Sequence, residues 1–392
     1  MPRQFSPKSW LWLTAGRLVL PHVALVVLLL VSSRVAAETP LAAAIDRLVK
    51  KQGFTDEGPG VAILIVQPGR TTFKKGYGLA KLHPKTPITP ETLFELASVS
   101  KTFTATGTLR LAEQKKLSID DDVRDYLPEL PEYDPQRPIR IRDLLQHTSG
   151  LPDYMQFADV PARHKDFWVN EDYAAEFARQ REQHPLDFRT GRKYEYNNTN
   201  FMLLALIVER VSKRSFGTFL HDEVFAPAGM TSTFVYENPS AVPAGRGTLC
   251  AIGYEKTKKG WDAAWGVPPD RHETLLTVGD GAVWTNLADM AHWDAALRHH
   301  KLLNAATLRE ALKPSRTDDG QTNGYGLGWS VYLDDSGRMN GFGHDGSWGG
   351  FRTSYYHYQL ADRTTVILSN RGSFDPDKFW YALNDVVEKA GW

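Results

Sequence analysis

Apolar residues recur with two different spacings in this chain, and each spacing predicts one kind of element. A helical spacing runs through LAAAIDRLVKKQG from Leu41, and Gly53 ends the pattern. Two β-rich runs follow within residues 60–80, one on each side of Pro68-Gly69, which predicts a hairpin. We therefore expect the folded part of the chain to begin with one helix and a pair of strands.

The C-terminal part repeats the strand pattern. Four short runs rich in β-branched or aromatic residues, LGWSVYLD, RMNGFGH, RTSYYHYQ and RTTVILSN, are separated by turn residues, and the helical run PDKFWYALNDVVEKAGW follows them. Between the β-rich ends, residues 98–310 show mainly helical patterns such as FMLLALIVERVSKRS. We therefore expect an α/β (α+β) fold in which residues 38–97 and 311–392 share one sheet beside an inserted helical domain, with a site in the cleft between them.

The first forty residues carry a separate pattern. Arg3, Lys8 and Arg17 accompany an apolar run over residues 18–31, and small residues follow at positions 35 and 37. The apolar run has about 14 residues, whereas a membrane-spanning helix needs roughly 20. This favours a cleavable secretory signal over residues 1–37 and a periplasmic or secreted protein, with membrane contact only if the signal is retained.

The composition narrows the class of partner. The chain contains 46 basic and 46 acidic side chains and 42% hydrophobic residues, as in a globular protein with a substantial core. Because the charge is balanced and the folded part has no Lys/Arg-rich block, we expect a small neutral or zwitterionic partner and no nucleic acid. The single cysteine, Cys250, has no disulfide partner in the chain, and we interpret it as a buried thiol.

The stretch FELASVSKTFTA pairs a serine with a lysine. Ser98 is the one serine of the chain with a lysine, Lys101, three residues later, at the point where a loop turns into helix. A serine in the first helical turn keeps its backbone N–H free to point at an oxyanion, and the lysine projects from the same face. A serine helix cap followed by a solvated lysine has the same spacing, so this motif alone decides nothing.

A second group of polar residues lies in GRKYEYNNTNF. Residues two apart in an extended segment point the same way, so Tyr196 and Asn198 can both face a cleft while Asn197 faces away. A phenol is a poor base unless a cation holds its anion, and Lys101 could supply that field. Asn198 could hydrogen-bond both Lys101 and a substrate amide. A polar loop without chemical function is the alternative.

A third group lies at the end of a predicted strand, in FGHDGSWGGFRTSYY. Gly346 would let a substrate backbone approach closely, with His344 on the same side of the strand. The N–H of Ser347 could then be the second oxyanion donor, opposite that of Ser98. A glycine-rich hairpin turn is the alternative. We find no G-x-S-x-G, H-E-x-x-H or dinucleotide-binding pattern, and therefore expect neither a metal nor an organic cofactor.

Taken together and in this order, the three motifs indicate a protein family far more specifically than any one of them does alone. The sequence resembles the serine β-lactamase and DD-peptidase superfamily, in the class C-like branch that also contains esterases and D-aminopeptidases, from about residue 41 to residue 390. The resemblance implies a β-lactamase/transpeptidase-like fold with Ser98 as the acylated nucleophile, Lys101 as its activator and Tyr196 as the base. It also implies that Asn198 positions the substrate and that the N–H groups of Ser98 and Ser347 form the oxyanion hole.

One difference from many β-lactamases concerns charge. His344 stands where they have a lysine, and Asp345 follows it, so we expect carboxylate substrates to bind less well. Arg352 could restore the missing charge or pair with Asp345, and Trp348 could form an apolar wall of the pocket or only pack. The resemblance leaves hydrolysis of β-lactams, of D-amino acid peptides and of esters open, with a small-molecule or peptidoglycan-derived substrate. The alternative is a penicillin-binding or cell-wall-binding protein that is acylated without turnover.

Overall fold

The computed structural model describes residues 40–157, 160–164, 166–179, 185–268, 270 and 274–391. The segment for which we predict a secretory signal lies outside these residues. Among the helices that are described, none combines the length and the apolar character that crossing a membrane requires.

Helices occur along the whole described chain. Besides 3-10 turns at Ala97–Val99, Val123–Asp125, Tyr154–Gln156 and Gly247–Leu249 and a π turn at His221–Phe225, the α-helices are α1 (Pro40–Lys51), α2 (Ser100–Glu113), α3 (Ile141–Leu145), α4 (Asn170–Arg179), α5 (Asn198–Ser212), α6 (Phe216–Leu220), α7 (Ala226–Ala228), α8 (Leu287–Arg298), α9 (Ala305–Ala311) and α10 (Pro376–Lys389).

Strands lie near both ends and also between the helices. They are β1 (Val61–Gln67), β2 (Arg70–Tyr77), β3 (Leu79–Lys81), β4 (Thr86–Pro87), β5 (Phe94–Glu95), β6 (Phe234–Val235), β7 (Gly253–Thr257), β8 (Gly260–Trp265), β9 (Val283–Thr285), β10 (Ser330–Leu333), β11 (Met339–Trp348), β12 (Phe351–Tyr358) and β13 (Arg363–Ser369).

The main sheet is antiparallel and joins the two ends of the chain. Its strand order is β10-β11-β12-β13-β1-β2. Within this sheet β1 pairs with β13, so that Val61 lies opposite Ser369 and Val66 opposite Thr364. The prediction that strands from both ends share one sheet is confirmed, and the predicted C-terminal helix is α10.

Both faces of the main sheet are covered, which explains why β1 is apolar at nearly every position. Alternate residues of a strand point to opposite faces. One set packs with residues of α1 and α10, and the other set belongs to the large core that includes the helices α2 and α5. The first set is Val61, Ile63 and Ile65, and the second is Ala62, Leu64 and Val66.

The helices α2 and α5 pack against each other in that large core. Every residue of α5 from Thr199 to Val208 is buried, and the side chain of Asn197 caps the helix by accepting a hydrogen bond from the Thr199 N–H. The helix α2 starts directly after the 3-10 turn Ala97–Val99. The N-terminal ends of both helices therefore face one cleft.

Two small sheets complete the walls of the cleft. In the first, β9 lies between β5 and β6, and Trp284 of β9 pairs with Glu95 of β5. In the second, β7 and β8 form a hairpin that packs against the turn between β11 and β12, where Gly349 has φ +49°. A Cβ atom on Gly349 would lie 2.3 Å from the Cβ of Trp265, so this close packing requires glycine.

Cys250 is buried, as expected from the sequence, and is a free thiol. Burial raises the pKa of this thiol to about 12, which leaves it protonated and unreactive at neutral pH.

Candidate active site

Ser98 lies in the 3-10 turn that leads into α2 and lines the cleft. The preceding residue, Ala97, has φ +53°, a left-handed conformation that costs an alanine about 1 kcal/mol. The side chain of Glu95 accepts hydrogen bonds from the N–H groups of Ala97 and Ala282, at 3.3 and 3.0 Å, and so holds this turn. The turn presents the Ser98 hydroxyl to the cleft just before the helix begins.

Lys101 is completely buried below Ser98. Its Nζ donates to Ser98 Oγ at 3.1 Å, to Asn198 Oδ1 at 2.9 Å and to the backbone carbonyl of Asp280 at 2.9 Å. An ammonium group has three protons, and these three acceptors use all of them. The lysine is therefore held in one position, with the serine oxygen as one of its partners.

Tyr196 and Asn198 both line the cleft, whereas Asn197 is buried and donates to the carbonyl of Leu151. The ring of Tyr196 is 39% exposed, and Lys101 Nζ lies 4.9 Å from its centroid. The structure thus brings the serine, the lysine and the phenol together, although they come from two separate parts of the chain.

The amide of Asn198 is engaged at both ends within the protein. Its Oδ1 accepts from Lys101, and its Nδ2 donates to Asp153 Oδ2 at 3.1 Å. The backbone N–H of Asn198 donates to the same Asp153 oxygen at 3.0 Å. Asn198 therefore accepts the hydrogen bond from Lys101 that we expected from the sequence, while Asp153 binds the Nδ2 end of the amide.

Gly346 of β11 faces the turn that carries Ser98. A Cβ atom at this position would lie 2.1 Å from the carbonyl oxygen of Leu96, and nearly as close to Thr353 Oγ1. From the sequence we expected an approaching substrate to use this space, but the protein's own backbone occupies it. Gly346 lets β11 approach the turn closely, which places the exposed Ser347 across the cleft from Ser98.

Trp348 and Arg352 also line the cleft. The ring of Trp348 lies 5.4 Å from that of Trp265, edge to face, so two indoles form an apolar wall. The guanidinium of Arg352 lies 3.9 Å from Glu255 Oε1 and 2.9 Å from the Phe351 carbonyl. It therefore forms an ion pair with Glu255, and within the described residues not with Asp345, the partner considered from the sequence.

His344 is placed differently from the prediction. Its ring is 5% exposed, and within the described residues it is absent from the lining of the cleft. Its Nδ1 donates to the Asp345 carbonyl at 2.7 Å, so its Nε2 accepts from the Tyr325 hydroxyl at 2.9 Å. Burial, and then the charge of Lys101, lower the pKa of His344 to about 3. The ring lies behind Tyr196, at a centroid distance of 6.0 Å, and is neutral.

Sequence reasoning missed much of the lining. The cleft has a volume of about 700 Å³, enough for a small molecule. Burial raises the pKa of Glu95 to about 7 and also raises the pKa of Asp280. In the sequence, the glycines on both sides of Asp280 in the GDG stretch at residues 279–281 were a weak indication of a site residue. No sequence pattern indicated the other positions. The missed lining residues include Glu95, Tyr154, Met155, Tyr236, Trp265, Leu275, Asp280 and Trp284.

Within the described ranges, no group of three or more His, Cys, Asp or Glu side chains could hold a metal ion. The chemistry available from the residues present is acyl transfer. A hydroxyl next to a buried ammonium and a phenol can attack a carbonyl, and backbone N–H groups from two walls can face the resulting oxyanion.

Comparison with known sequences points to one family. The sequence profile of the beta-lactamase family matches residues 45–387. A penicillin-binding protein of Bacillus subtilis (strain 168) is 33% identical over 316 residues, which cover 79% of this chain and 67% of that protein. A D-aminopeptidase of Gluconobacter oxydans (strain 621H) is 28% identical over 321 residues, which cover 81% of this chain and 56% of the relative. The chain thus spans between about half and two thirds of these relatives.

Solved structures agree in fold. The penicillin binding protein from Bacillus halodurans superimposes with a TM-score of 0.70 and 25% identity, over 88% of this chain and 98% of that one. The D-amino acid amidase from Ochrobactrum anthropi SV3 has a TM-score of 0.69 and 24% identity, over 90% and 97% of the two chains. These likenesses confirm the fold that the sequence motifs implied.

Proposed function

This chain belongs to the beta-lactamase family of serine hydrolases, and from this premise we propose that it hydrolyses an amide, β-lactam or ester through an acyl-enzyme on Ser98. One observation carries the proposal. The buried ammonium of Lys101 is bonded to Ser98 Oγ at 3.1 Å and is held there by two further acceptors. A lysine in this position can act on the serine hydroxyl and is shielded from solvent.

In the proposed acylation, the pair formed by Tyr196 and Lys101 starts one proton short of a phenol plus an ammonium. Ser98 Oγ forms a bond to the carbonyl carbon, the carbonyl π electrons move to the oxygen, and the Ser98 proton passes to this pair. The N–H groups of Ser98 and Ser347 stabilise the oxyanion, each by about 3 kcal/mol. The bond to the leaving group then breaks, and the leaving nitrogen or oxygen takes the proton from the same pair. A water molecule repeats the sequence on the acyl-enzyme and releases the acid.

The names of the relatives suggest which carbonyls to test. Penicillin-binding proteins and a D-aminopeptidase are among them, so a β-lactam, a D-amino acid peptide and a peptidoglycan-derived peptide are candidate substrates. The buried, neutral ring of His344 offers no cation to a substrate carboxylate, so among the described lining residues this role falls to the guanidinium of Arg352.

A parallel assay tests the proposal. Nitrocefin, short-chain p-nitrophenyl esters, a D-Ala-D-Ala peptide and a D-amino acid amide are compared on the wild type and on Ser98→Ala, together with covalent labelling by a fluorophosphonate and a penicillin probe. We expect turnover of at least one class and labelling of the wild type alone. Labelling of Ser98→Ala at the wild-type rate would refute Ser98 as the nucleophile. Stoichiometric labelling without turnover would identify a binding protein that fails to deacylate.

We also propose that the protein is exported. The proposal rests on the sequence pattern of basic residues, an apolar run and small residues within residues 1–37. Cell fractionation and N-terminal sequencing of the full chain expressed in a bacterium test it. A start near Glu38 in the extracytoplasmic fraction supports export, and an intact N-terminus in the cytoplasm contradicts it.

A further inference from the structure

His147 is a buried imidazole directly behind the proposed base, Tyr196. It follows α3, is completely buried and, within the described residues, is absent from the lining of the cleft. Its ring centroid is 4.5 Å from that of Tyr196, with an angle of 38° between the two planes. Because the imidazole does not reach the cleft, any effect that it has on the reaction must pass through the residues it contacts.

Two hydrogen bonds tie the chain to His147 on both sides of Tyr196. The N–H of Glu195 donates to the backbone carbonyl of His147 at 3.0 Å, and the N–H of Asn197 donates to its ring Nδ1 at 3.1 Å. The base thus stands between two bonded neighbours, and its ring packs against the same imidazole. Because the Tyr196 ring is 39% exposed and lines the cleft, its position depends on the contacts of its buried side.

The bond to Asn197 fixes the protonation state of the imidazole. A backbone N–H only donates, so Nδ1 of His147 accepts and the ring proton lies on Nε2. The side-chain amide of Asn200 also donates to Nδ1, at 3.1 Å. Burial, and then the charge of Lys101, lower the pKa of His147 well below 6.5, so the ring is neutral and keeps this acceptor at neutral pH.

The imidazole itself has little freedom to move. Its ring packs against the rings of Phe201 and Tyr325, at centroid distances of 5.1 and 4.8 Å, and Phe201 is buried in α5. The backbone of His147 has φ +57°, a left-handed conformation that is unfavourable for most residues other than glycine. Such a conformation persists only where the surroundings fix it, and residues of this kind cluster at functional sites.

We propose that His147 is a positioning residue that holds the phenol of Tyr196 at the place where the proton of Ser98 is transferred. Its removal should slow the step in which that proton moves and leave substrate binding almost unchanged, because a shift of about 1 Å in a reacting group can cost roughly 100-fold in rate. This inference rests on the proposed function, in which Tyr196 shares the proton with Lys101, and adds a further residue to that mechanism.

Two substitutions separate the hydrogen bond from the ring. His147→Phe keeps an aromatic ring behind Tyr196 but leaves the N–H of Asn197 without its acceptor. His147→Asn keeps an acceptor at the same position along the side chain as Nδ1, and asparagine tolerates the left-handed backbone, but it lacks the ring. For p-nitrophenyl acetate we expect kcat to fall about 100-fold in the first variant and about tenfold in the second, with KM changed by less than about threefold.

A double-mutant cycle with the milder variant and Tyr196→Phe tests whether His147 acts through the phenol. The rate of fluorophosphonate labelling of Ser98 is measured for the wild type, for His147→Asn, for Tyr196→Phe and for the double variant. A positioning role predicts that His147→Asn slows labelling about tenfold when the phenol is present and by less than about twofold when it is absent. Equal factors in the two backgrounds overturn the inference, as does a wild-type rate for His147→Asn.

His357→Asn is the matched control for the loss of a buried imidazole. His357 is 6% exposed, and its Nδ1 is hydrogen-bonded to Thr364 Oγ1 at 2.9 Å, within the main sheet. Its substitution should lower stability in urea unfolding, as His147→Asn does, and leave kcat and labelling unchanged. A loss of labelling equal to that of His147→Asn would show that both effects follow from lost stability, which overturns the inference.

The outcomes also separate this inference from the proposed function. The absence of both labelling and ester hydrolysis in the wild type contradicts the proposed function. A wild-type labelling rate for Tyr196→Phe removes Tyr196 from the mechanism, and this inference with it, while Ser98 remains the nucleophile. Labelling that is slowed by Tyr196→Phe, together with equal factors for His147→Asn in both backgrounds, contradicts the inference alone.

Discussion

The two walls of the cleft differ in how tightly their side chains are held. In the helical wall, formed by the N-terminal ends of α2 and α5, Lys101 Nζ makes three hydrogen bonds of 2.9–3.1 Å and Asn198 is bonded at both ends of its amide. In the strand wall, formed by β11 and β12, Ser347 is exposed and the guanidinium of Arg352 is 3.9 Å from its ionic partner. The first wall holds its polar side chains in place for the proposed chemical step, whereas the polar side chains of the second wall make fewer bonds within the protein.

The largest effect should come from removing the nucleophile in the helical wall. Ser98→Ala deletes the attacking oxygen, and we expect turnover to fall by roughly 1000-fold or more. Steady-state kinetics with the preferred ester or amide measure this loss, with circular dichroism to confirm folding. Ser212→Ala, at the C-terminal end of α5, is the control and should keep wild-type turnover. Residual turnover within tenfold of the wild type would contradict the assignment.

A second large effect should follow from Lys101→Met. The substitution leaves Asn198 Oδ1 and the Asp280 carbonyl without their buried donor, which we expect to cost about 1–3 kcal/mol of unfolding free energy for each acceptor. It also removes the charge beside Ser98, so fluorophosphonate labelling should slow by roughly 100-fold or more. Denaturant unfolding and labelling kinetics measure the two effects. A variant that is labelled at the wild-type rate would show that the lysine is structural.

A substitution in the strand wall should change the selectivity of the protein between substrates. Trp348→Ala removes half of the indole pair with Trp265, and burial of a few methylene groups is worth about 1–2 kcal/mol. We therefore expect KM for p-nitrophenyl hexanoate to rise about tenfold, and KM for p-nitrophenyl acetate to change by less than about threefold. Trp380→Ala, which alters the contact with Tyr356, is the matched control. An equal change for both esters would contradict a role in selectivity.

The smallest expected effect is a pH dependence of stability. It arises at Glu209, which lies outside both walls. Burial, with Glu171 and Glu237 nearby, raises the pKa of Glu209 to about 7, although the Phe216 N–H and Arg210 act in the opposite direction. A carboxyl whose pKa is raised by folding stabilises the protein fully below pH 4.5, and this contribution is lost as the pH rises through 7.

Glu209→Gln should therefore match the wild type at pH 4 and exceed it at pH 8 by about 1–3 kcal/mol in unfolding free energy. Urea unfolding of both proteins at the two pH values measures the difference. A variant that is less stable than the wild type at pH 8 would contradict this prediction. It would show that the surroundings of Glu209 stabilise its ionised carboxylate by more than burial destabilises it.

The sequence predicted the main sheet well because each of its strands is long enough to show alternation or a continuous apolar run. It did not predict β6 and β9, since strands of two or three residues carry no periodic signal. Ser98 and Lys101 were found because one helical turn fixes their separation. Glu95 and Trp284 were missed, because only the pairing of β5 with β9 brings them together. Alternation predicted that His344 lies on the same face of its strand as Gly346, but could not reveal that Tyr325 would bind its ring or that the ring would be buried outside the lining of the cleft.

The pairing of β1 with β13 affects the order in which the parts of the site can form as the chain is synthesised. During synthesis the serine emerges long before the strand that faces it, and the sheet can close only when its last strand meets one of its first. A chain that has emerged only as far as α2 therefore has Ser98 but no second wall, and the proposed site can form only after β13 has emerged and paired with β1.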